Sequence, residues 1–286
     1  MSDLIHTLEA TDLAHPALHH AEHVTHLESG QIIYLPHLSF HLDVPELCHP
    51  EICDTKKKNI AYDHQKEKLR GISTQNPYQA QLQTMMHAYA DYAKTLVDTL
   101  LPTYQTALRW GRTSYRPAEI SGRHRSKRQD DTRIHVDAFP ATPVQGWRIL
   151  RVFCNINPNG KPRVWDLGEP FAQVLQQFAA QLSAYQPFKA RLLQWFKITK
   201  TFRTGYDHYM LALHDQMKLH DTYQANLKKT RFDFPAYSTW VVFTDQVSHA
   251  ALGGQYLLEQ TFYLPVSGMQ NPNTSPWQHM VQKGLI

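Results

Sequence analysis

Two histidines and one aspartate are the residues of this 286-residue chain best suited to metal chemistry. His135 and Asp137 are two positions apart, and residues with this spacing on a β-strand point to the same face of the sheet. With the distant His249, they could bind one metal ion through two imidazoles and one carboxylate. This ligand set leaves coordination positions open and is typical of non-haem Fe(II) oxygenases. The sequence therefore predicts oxidative chemistry, with these three residues as metal ligands and catalytic residues.

The motif alone is weak evidence, because His41 and Asp43 have the same spacing. The surrounding sequence favours the later pair. Asp137 is followed by a turn-rich loop, residues 139–146, and then by a long β-prone run, residues 147–158. No comparable strand follows Asp43. Strand, loop and long strand is the order expected where a jelly roll brings its strands around a metal.

The hydrophobic pattern predicts an α+β fold with a double-stranded β-helix (jelly-roll) core and flanking and inserted helices. Apolar residues at helical spacing predict a long helix over 78–106. Further helices are expected at 168–184, at 186–197 and, as one continuous helix, at 206–224. Strands are expected at 31–44 (broken at Pro36), 132–140, 147–158, 238–249 (with a turn) and 256–265.

These elements predict a single oxygenase domain over residues 1–286. Its helical and mixed N-terminal part covers about residues 1–125, and its jelly-roll core covers about 126–268. A helical insert within the core is expected at about 169–224.

Composition and charge exclude several classes of protein. The net charge is only +4, which does not indicate a protein that binds nucleic acid. No apolar run is long enough for a transmembrane helix. The N-terminus lacks a secretory pattern, so a cytoplasmic protein is expected. Three cysteines, Cys48, Cys53 and Cys154, do not suggest a disulfide framework.

Five longer segments together carry a family resemblance that no single one would: residues 130–140, 148–158, 165–171, 206–218 and 243–262. In this combination the chain resembles the Kdo hydroxylase family, which acts on 3-deoxy-D-manno-oct-2-ulosonic acid (Kdo) in lipopolysaccharide. The resemblance implies Fe(II), 2-oxoglutarate and O₂. It also implies hydroxylation at C3 of Kdo in Kdo-lipid A to D-glycero-D-talo-oct-2-ulosonic acid, with release of succinate and CO₂. It makes His135, Asp137 and His249 the iron ligands.

The anchor for the distal carboxylate of 2-oxoglutarate is less clear from the sequence. The prolyl-4-hydroxylase branch of 2-oxoglutarate oxygenases usually has a Lys or Arg shortly after the second metal-binding histidine, and residues 250–262 contain neither. Alternation along the strand at 147–158 turns Arg151 and Asn155 toward the pocket, so Arg151 is our first candidate. The other predicted cosubstrate contacts are Asn155, Arg148, Gln260 and Thr261.

An acidic, lipid-linked substrate would need cations and hydrogen-bond donors nearby. The candidates for substrate contacts are Arg123, Arg125, Arg128, Arg163, His208, His214 and Lys218. For the residues in the basic run 123–128 and in the helix at 206–224, the alternative is a plain solvated surface. Such a substrate also implies peripheral contact with the cytoplasmic leaflet of the inner membrane.

Two other functions remain open from the sequence. One is a 2-oxoglutarate oxygenase acting on another small molecule or on a protein. The other is a non-catalytic jelly roll that binds sugar and contains a metal.

Overall fold

Two β-sheets form the framework of the computed structural model, which describes residues 4–41, 44–49, 52–53, 59–72, 76–122 and 125–286. The larger sheet has eight strands in the order β1-β2-β9-β6-β11-β5-β3-β4, and the smaller has three in the order β10-β7-β8. The strands are β1 Ile5–Thr7, β2 Ile32–Leu35, β3 Ile60–Asp63, β4 Lys68–Arg70, β5 Arg109–Arg116, β6 Arg148–Asn155, β7 Arg163–Pro170, β8 Thr230–Phe234, β9 Ser238–Phe243, β10 Val247–Gly253 and β11 Leu257–Leu264.

Seven helices accompany these sheets in the described part of the chain. They are α1 Glu22–Glu28, α2 Gln79–Leu100, α3 Phe171–Phe178, α4 Pro187–Trp195, α5 Gly205–Leu219, α6 Asp221–Asn226 and α7 Pro276–Gln282. The predicted long helix is confirmed as α2, and the next two predicted helices are confirmed as α3 and α4. The prediction of one continuous helix at 206–224 was wrong. His220 has extended backbone there, and its Nδ1 accepts a hydrogen bond from Tyr223 N, so the chain ends α5 and caps α6.

The strands around the predicted site are largely confirmed as β6, β9, β10 and β11. The predicted strand at 132–140 was wrong as a regular strand, because only His135 forms a β-bridge there. Sequence reasoning also missed β5 and β7. Both strands carry charged residues, such as Arg116 and Arg163, on a face that a hydrophobic pattern would require to be apolar.

Alternation along β6 separates the core from the site. Leu150, Val152 and Cys154 point into a large apolar core that also contains α2. Arg151 and Phe153 point the other way, toward the smaller sheet. One strand therefore stabilises the fold with one face and contributes to a cleft with the other.

An aromatic core joins the facing sides of the two sheets. Phe153 and Trp240 of the larger sheet contact Trp165 of the smaller one, with ring centroids 5.2 and 5.7 Å from that of Trp165. A third core, on the outer face of the smaller sheet, packs Ile134 and Ala250 against α3 and α5. Phe153 and Trp165 of this core also line the cleft, which therefore lies between the two sheets.

Across the described ranges, no helix combines the length and the apolar character needed to span a bilayer.

Candidate metal centre and active site

The predicted ligands come together where the segment before Asp137 runs alongside β10. His135 N donates to His249 O at 3.0 Å, and His249 N donates to His135 O at 2.8 Å. Asp137 N donates to Thr244 O at 2.8 Å. These backbone bonds fix three side chains that are distant in sequence, and one ligand atom from each lies within 4.8 Å of the others.

Both histidines are oriented as metal ligands would be. His135 Nδ1 donates to Arg133 O at 2.8 Å, and His249 Nδ1 donates to Val247 O at 2.8 Å. A carbonyl oxygen only accepts, so the proton is on Nδ1 and the lone pair of Nε2 is available in the neutral ring. Burial lowers the pKa of both histidines, which favours this neutral form.

Asp137 supplies a negative oxygen beside these two nitrogens. Burial alone would raise its pKa, but the positive charge of Arg151 outweighs burial and holds the pKa below its usual range. Its Oδ2 is buried without a hydrogen-bond partner and lies 3.3 Å from Arg151 Nη2. An ionised carboxylate with an unsatisfied oxygen and two available imidazole nitrogens fit a divalent transition metal.

Charged side chains line an open cleft beside this centre. Glu259 of β11 accepts ion pairs from Arg151 (Nη1 to Oε1, 3.0 Å) and from Arg116 (Nη2 to Oε2, 2.9 Å). Trp165 forms part of the apolar wall, and its ring stacks on His249 at 4.7 Å between centroids. The cleft can therefore hold a small polar molecule against an ordered cationic wall.

Arg163 differs from the other two arginines of the cleft. Its Nη1 donates to Gly254 O at 3.0 Å, while its Nε is buried without a hydrogen-bond partner. Among the residues that the structure describes, no carboxylate lies within ion-pair distance of it. Burial, with the like charge of Arg116, lowers the pKa of Arg163 to about 9. Gly254 has φ +112°, and a Cβ there would lie 3.0 Å from Arg163 Cδ, so glycine allows this close approach. Arg163 is thus a buried cation placed to receive an anion.

Helix α5 brings two predicted substrate residues near the metal centre. The ring of His214 meets that of His135 edge-on, with centroids 5.3 Å apart. Lys218 is buried, and its Nζ lies 3.8 Å from Asp131 Oδ1 in the cleft wall. A capping box between Thr204 and Asp207 fixes the start of this helix.

Other described residues that we predicted as substrate contacts do not line the cleft. Arg128 is exposed, and its Nε donates to Asp215 Oδ2 at 2.9 Å, beside His214. Arg125 is exposed with no partner among the described residues, and Arg123 and the alternative ligand Asp43 lie outside the described residues. His208 is away from the cleft lining, and its Nε2 contacts Ser183 O at 2.7 Å.

Three residues that we predicted as cosubstrate contacts do not line the cleft. Arg148 is one of the even-numbered residues of β6 that point away from the cleft, and its Nε donates to Asp245 at 2.7 Å in the core. Gln260 faces the same core from β11 and accepts from Thr113. Asn155 does face the smaller sheet but lies past the cleft, and its amide donates to the carbonyls of Lys161 and Phe234.

The remaining cosubstrate candidates, Arg151 and Thr261, lie on the face of the larger sheet that points toward the smaller sheet. Thr261 of β11 is the cross-strand neighbour of Arg151, and Glu259 is that of Phe153. Sequence reasoning named Thr261 but missed Glu259, Arg116, Asp131 and Trp165. For Glu259 a signal existed: it lies two residues before Thr261 and so shares its face.

Comparisons with known proteins agree on one family. The model of the 3-deoxy-D-manno-oct-2-ulosonic acid (Kdo) hydroxylase family matches residues 11–283. A search of curated proteins gives no significant match.

Among solved structures, the Kdo hydroxylase KdoO in complex with cobalt(II) is 44% identical, with a TM-score of 0.93 over 98% of this chain and 95% of that one. KdoO with α-ketoglutarate (2-oxoglutarate) and Fe(III) is 43% identical, with a TM-score of 0.93 at the same coverage. KdoO with succinate and Fe(III) is also 43% identical, with a TM-score of 0.92 at that coverage. These KdoO structures are described as a non-haem Fe(II), α-ketoglutarate-dependent dioxygenase. The family model spans most of this chain, and the similarity to KdoO covers nearly all of it. The chain therefore belongs to the Kdo hydroxylase family.

Proposed function

We propose that this chain is an Fe(II)- and 2-oxoglutarate-dependent dioxygenase that hydroxylates Kdo, with His135, Asp137 and His249 as the iron ligands. The observation that carries the proposal is the buried set of two imidazole nitrogens and one ionised carboxylate within 4.8 Å. Structural metal sites are usually closed by four protein ligands, whereas three leave room for a cosubstrate.

The bound metal would supply oxidative chemistry, in which O₂ and 2-oxoglutarate yield succinate, CO₂ and a Kdo hydroxylated at C3. The protein's own residues bind and orient. The carbonyls of Arg133 and Val247 hold the two imidazoles with Nε2 toward the ion. The Trp165 ring, stacked on His249, gives the centre an apolar wall on one side.

We propose Arg151 as the anchor for the distal carboxylate of 2-oxoglutarate. Its guanidinium lies in the cleft beside Asp137 and is positioned by Glu259, so its orientation is fixed before any ligand binds. Its Nε is buried and still lacks a hydrogen-bond partner. Thr261, on the same face, is placed to add a hydroxyl contact.

We propose that Arg163 receives the carboxylate of Kdo. It is the cleft arginine that lacks a carboxylate partner in the described part of the chain, and a buried unpaired cation is costly unless an anion arrives. His214 and Lys218 border the same space from α5. Arg128, and with it Arg123 and Arg125, would contact the more distant phosphates of a lipid A precursor.

We also propose that the two facing sheets are the two halves of a double-stranded β-helix within one domain, with α3 to α6 as its helical insert. The facing aromatic cores support this assignment. We infer a cytoplasmic protein that contacts the inner membrane peripherally, because its substrate would be lipid-linked.

The experiment is turnover of Kdo-lipid A by anaerobically iron-loaded protein with 2-oxoglutarate and O₂, read by mass spectrometry. We expect a gain of one oxygen matched by succinate, and neither product from His135→Ala. Succinate without an oxygenated lipid would show an oxygenase with another substrate. Neither product from folded, metal-loaded protein would refute the oxygenase and favour a sugar-binding role.

A further inference from the structure

The most exposed large apolar side chains of the described residues lie close together in sequence. Phe188, Trp195, Phe196 and Ile198 are 72%, 74%, 65% and 58% exposed. We call these four residues the α4 patch. The next most exposed, Tyr237, is 52% exposed and lies elsewhere. Exposed apolar residues scattered singly are ordinary, but a cluster of this kind marks a surface that binds something apolar.

The fold itself does not use the α4 patch. Helix α4 has only Ala190 as a buried residue, so it packs weakly on the rest of the protein. The rings of Trp195 and Phe196 contact each other at 5.1 Å between centroids, yet both face solvent. The patch therefore has an apolar surface with no partner among the described residues.

The segment of the sequence that carries the α4 patch has charges of one sign. Between Glu169 and Asp207 the chain has no acidic residue, and it has five basic ones: Lys189, Arg191, Lys197, Lys200 and Arg203. Five positive and no negative charges give +5, more than the net +4 of the whole chain. A surface of this kind is complementary to an anionic one.

Hydrogen bonds connect the segment that follows the α4 patch to the loop after the metal ligand Asp137. Lys200 N donates to Ala141 O at 3.0 Å, and Arg203 Nη2 donates to Pro140 O at 2.7 Å. Both carbonyls belong to the loop that leaves the metal ligand Asp137. Nearby Arg112 lowers the pKa of Lys200 by like-charge repulsion, and Arg70 and Lys66 act in the same direction. Asp63 opposes them, so the surface that extends from Lys200 to β5 of the larger sheet has three further cations and one carboxylate.

We propose that the α4 patch docks on an anionic lipid bilayer, with its aromatic side chains at the depth of the headgroups and its basic residues against acidic lipids. Aromatic residues are typical of the membrane interface, and each basic residue near an anionic surface adds to the attraction. A second copy of this chain fits less well, because a two-fold interface would place +5 against +5. The proposal rests on the proposed function, since a lipid-linked substrate makes a bilayer the natural occupant.

The test uses the full chain and vesicles of phosphatidylcholine alone or mixed with phosphatidylglycerol, with binding measured by co-sedimentation. We expect binding to the mixed vesicles that weakens with salt. The variant Trp195→Ser/Phe196→Ser should bind at least about tenfold more weakly, since two buried aromatic side chains are lost. Lys189→Gln/Arg191→Gln should lose binding to the mixed vesicles in particular. The matched control is Tyr237→Ser, another exposed aromatic, which should bind like the wild type.

Unchanged binding by the Trp195/Phe196 variant would overturn the proposal. So would a variant that binds vesicles normally but no longer self-associates in size-exclusion chromatography, because the patch would then be a protein interface. Turnover of Kdo-lipid A without vesicle binding would refute the docking proposal and leave the proposed function intact. Vesicle binding without turnover would refute the proposed function and leave the docking proposal intact.

Discussion

Replacing Arg148 tests directly whether this arginine stabilises the core or anchors the cosubstrate. Its side chain is fully buried, and Nε and Nη2 lie 2.7 and 3.3 Å from the two carboxylate oxygens of Asp245, which is also buried. Nη2 also donates to Gln246 at 2.6 Å. The guanidinium lies over the Phe243 ring at 3.9 Å. Arg148→Met would keep much of the volume but leave the Asp245 carboxylate buried without its cation.

Breaking a buried pair by removing one partner costs about 3–5 kcal/mol, because the other charge stays in the core. In a chain of this length that loss corresponds to a fall in Tm of roughly 10 °C. Burial already raises the pKa of Asp245 beside Arg148, so in the variant this carboxyl should take up a proton more easily. The destabilisation should therefore shrink as the pH falls. Arg148→Met/Asp245→Asn should recover part of the loss, because no charge is then left buried.

The assay is urea unfolding of wild type and variants, combined with the KM for 2-oxoglutarate. The control is Arg109→Met, an exposed arginine stacked on Trp147, which should cost about 1 kcal/mol at most. If Arg148→Met instead unfolded like the wild type and raised the KM for 2-oxoglutarate strongly, the reasoning from strand alternation would be wrong and Arg148 would face the cleft.

The remaining predictions concern the site and the response to pH. Arg151→Lys should raise the KM for 2-oxoglutarate by about tenfold, because lysine keeps the charge but cannot form the bidentate contact. Arg163→Gln should raise the KM for Kdo-lipid A, because it removes charge-assisted hydrogen bonds to a carboxylate. Steady-state kinetics in each substrate checks both, and the reverse pattern would exchange the two roles. Asp137→Asn should weaken Co(II) binding by at least about tenfold, measured by absorption titration, and unchanged affinity would remove Asp137 from the ligand set. Burial lowers the pKa of His23 below 6.5, so the unfolded chain binds a proton that the folded one does not, and stability falls as the pH drops below that value. His23→Gln should therefore lose less stability between about pH 7 and about pH 5 than the wild type, as measured by urea unfolding; equal losses would contradict the assignment.

The sequence was informative where side-chain periodicity and chemistry pointed the same way. Alternation in the run after Asp137 correctly separated Arg151 from Val152, because one face of β6 had to be apolar. Alternation also places Arg148 on the core side of β6 with Val152. The sequence nevertheless made Arg148 a cosubstrate candidate, because a local pattern does not show that an arginine is held in the core by a buried ion pair with Asp245. Ligand chemistry predicted that His249 would join His135, but the backbone contact that brings the two together was not predicted. It depends on backbone bonds between segments more than a hundred residues apart, and local pattern does not encode such contacts.

The numbers of positive and negative side chains in the cleft bear on how it binds its ligands. Arg116, Arg151 and Arg163 are balanced by three carboxylates, those of Asp131, Asp137 and Glu259, so the lining without ligands is close to neutral. A divalent ion bound by Asp137 would leave a surplus of two positive charges, which the dianion 2-oxoglutarate would cancel. The carboxylate of Kdo, which we expect Arg163 to receive, would then add one negative charge, and Lys218 beside Asp131 would offset it. Metal, cosubstrate and substrate are thus expected to favour one another's binding, because each restores the charge balance that the previous one disturbs.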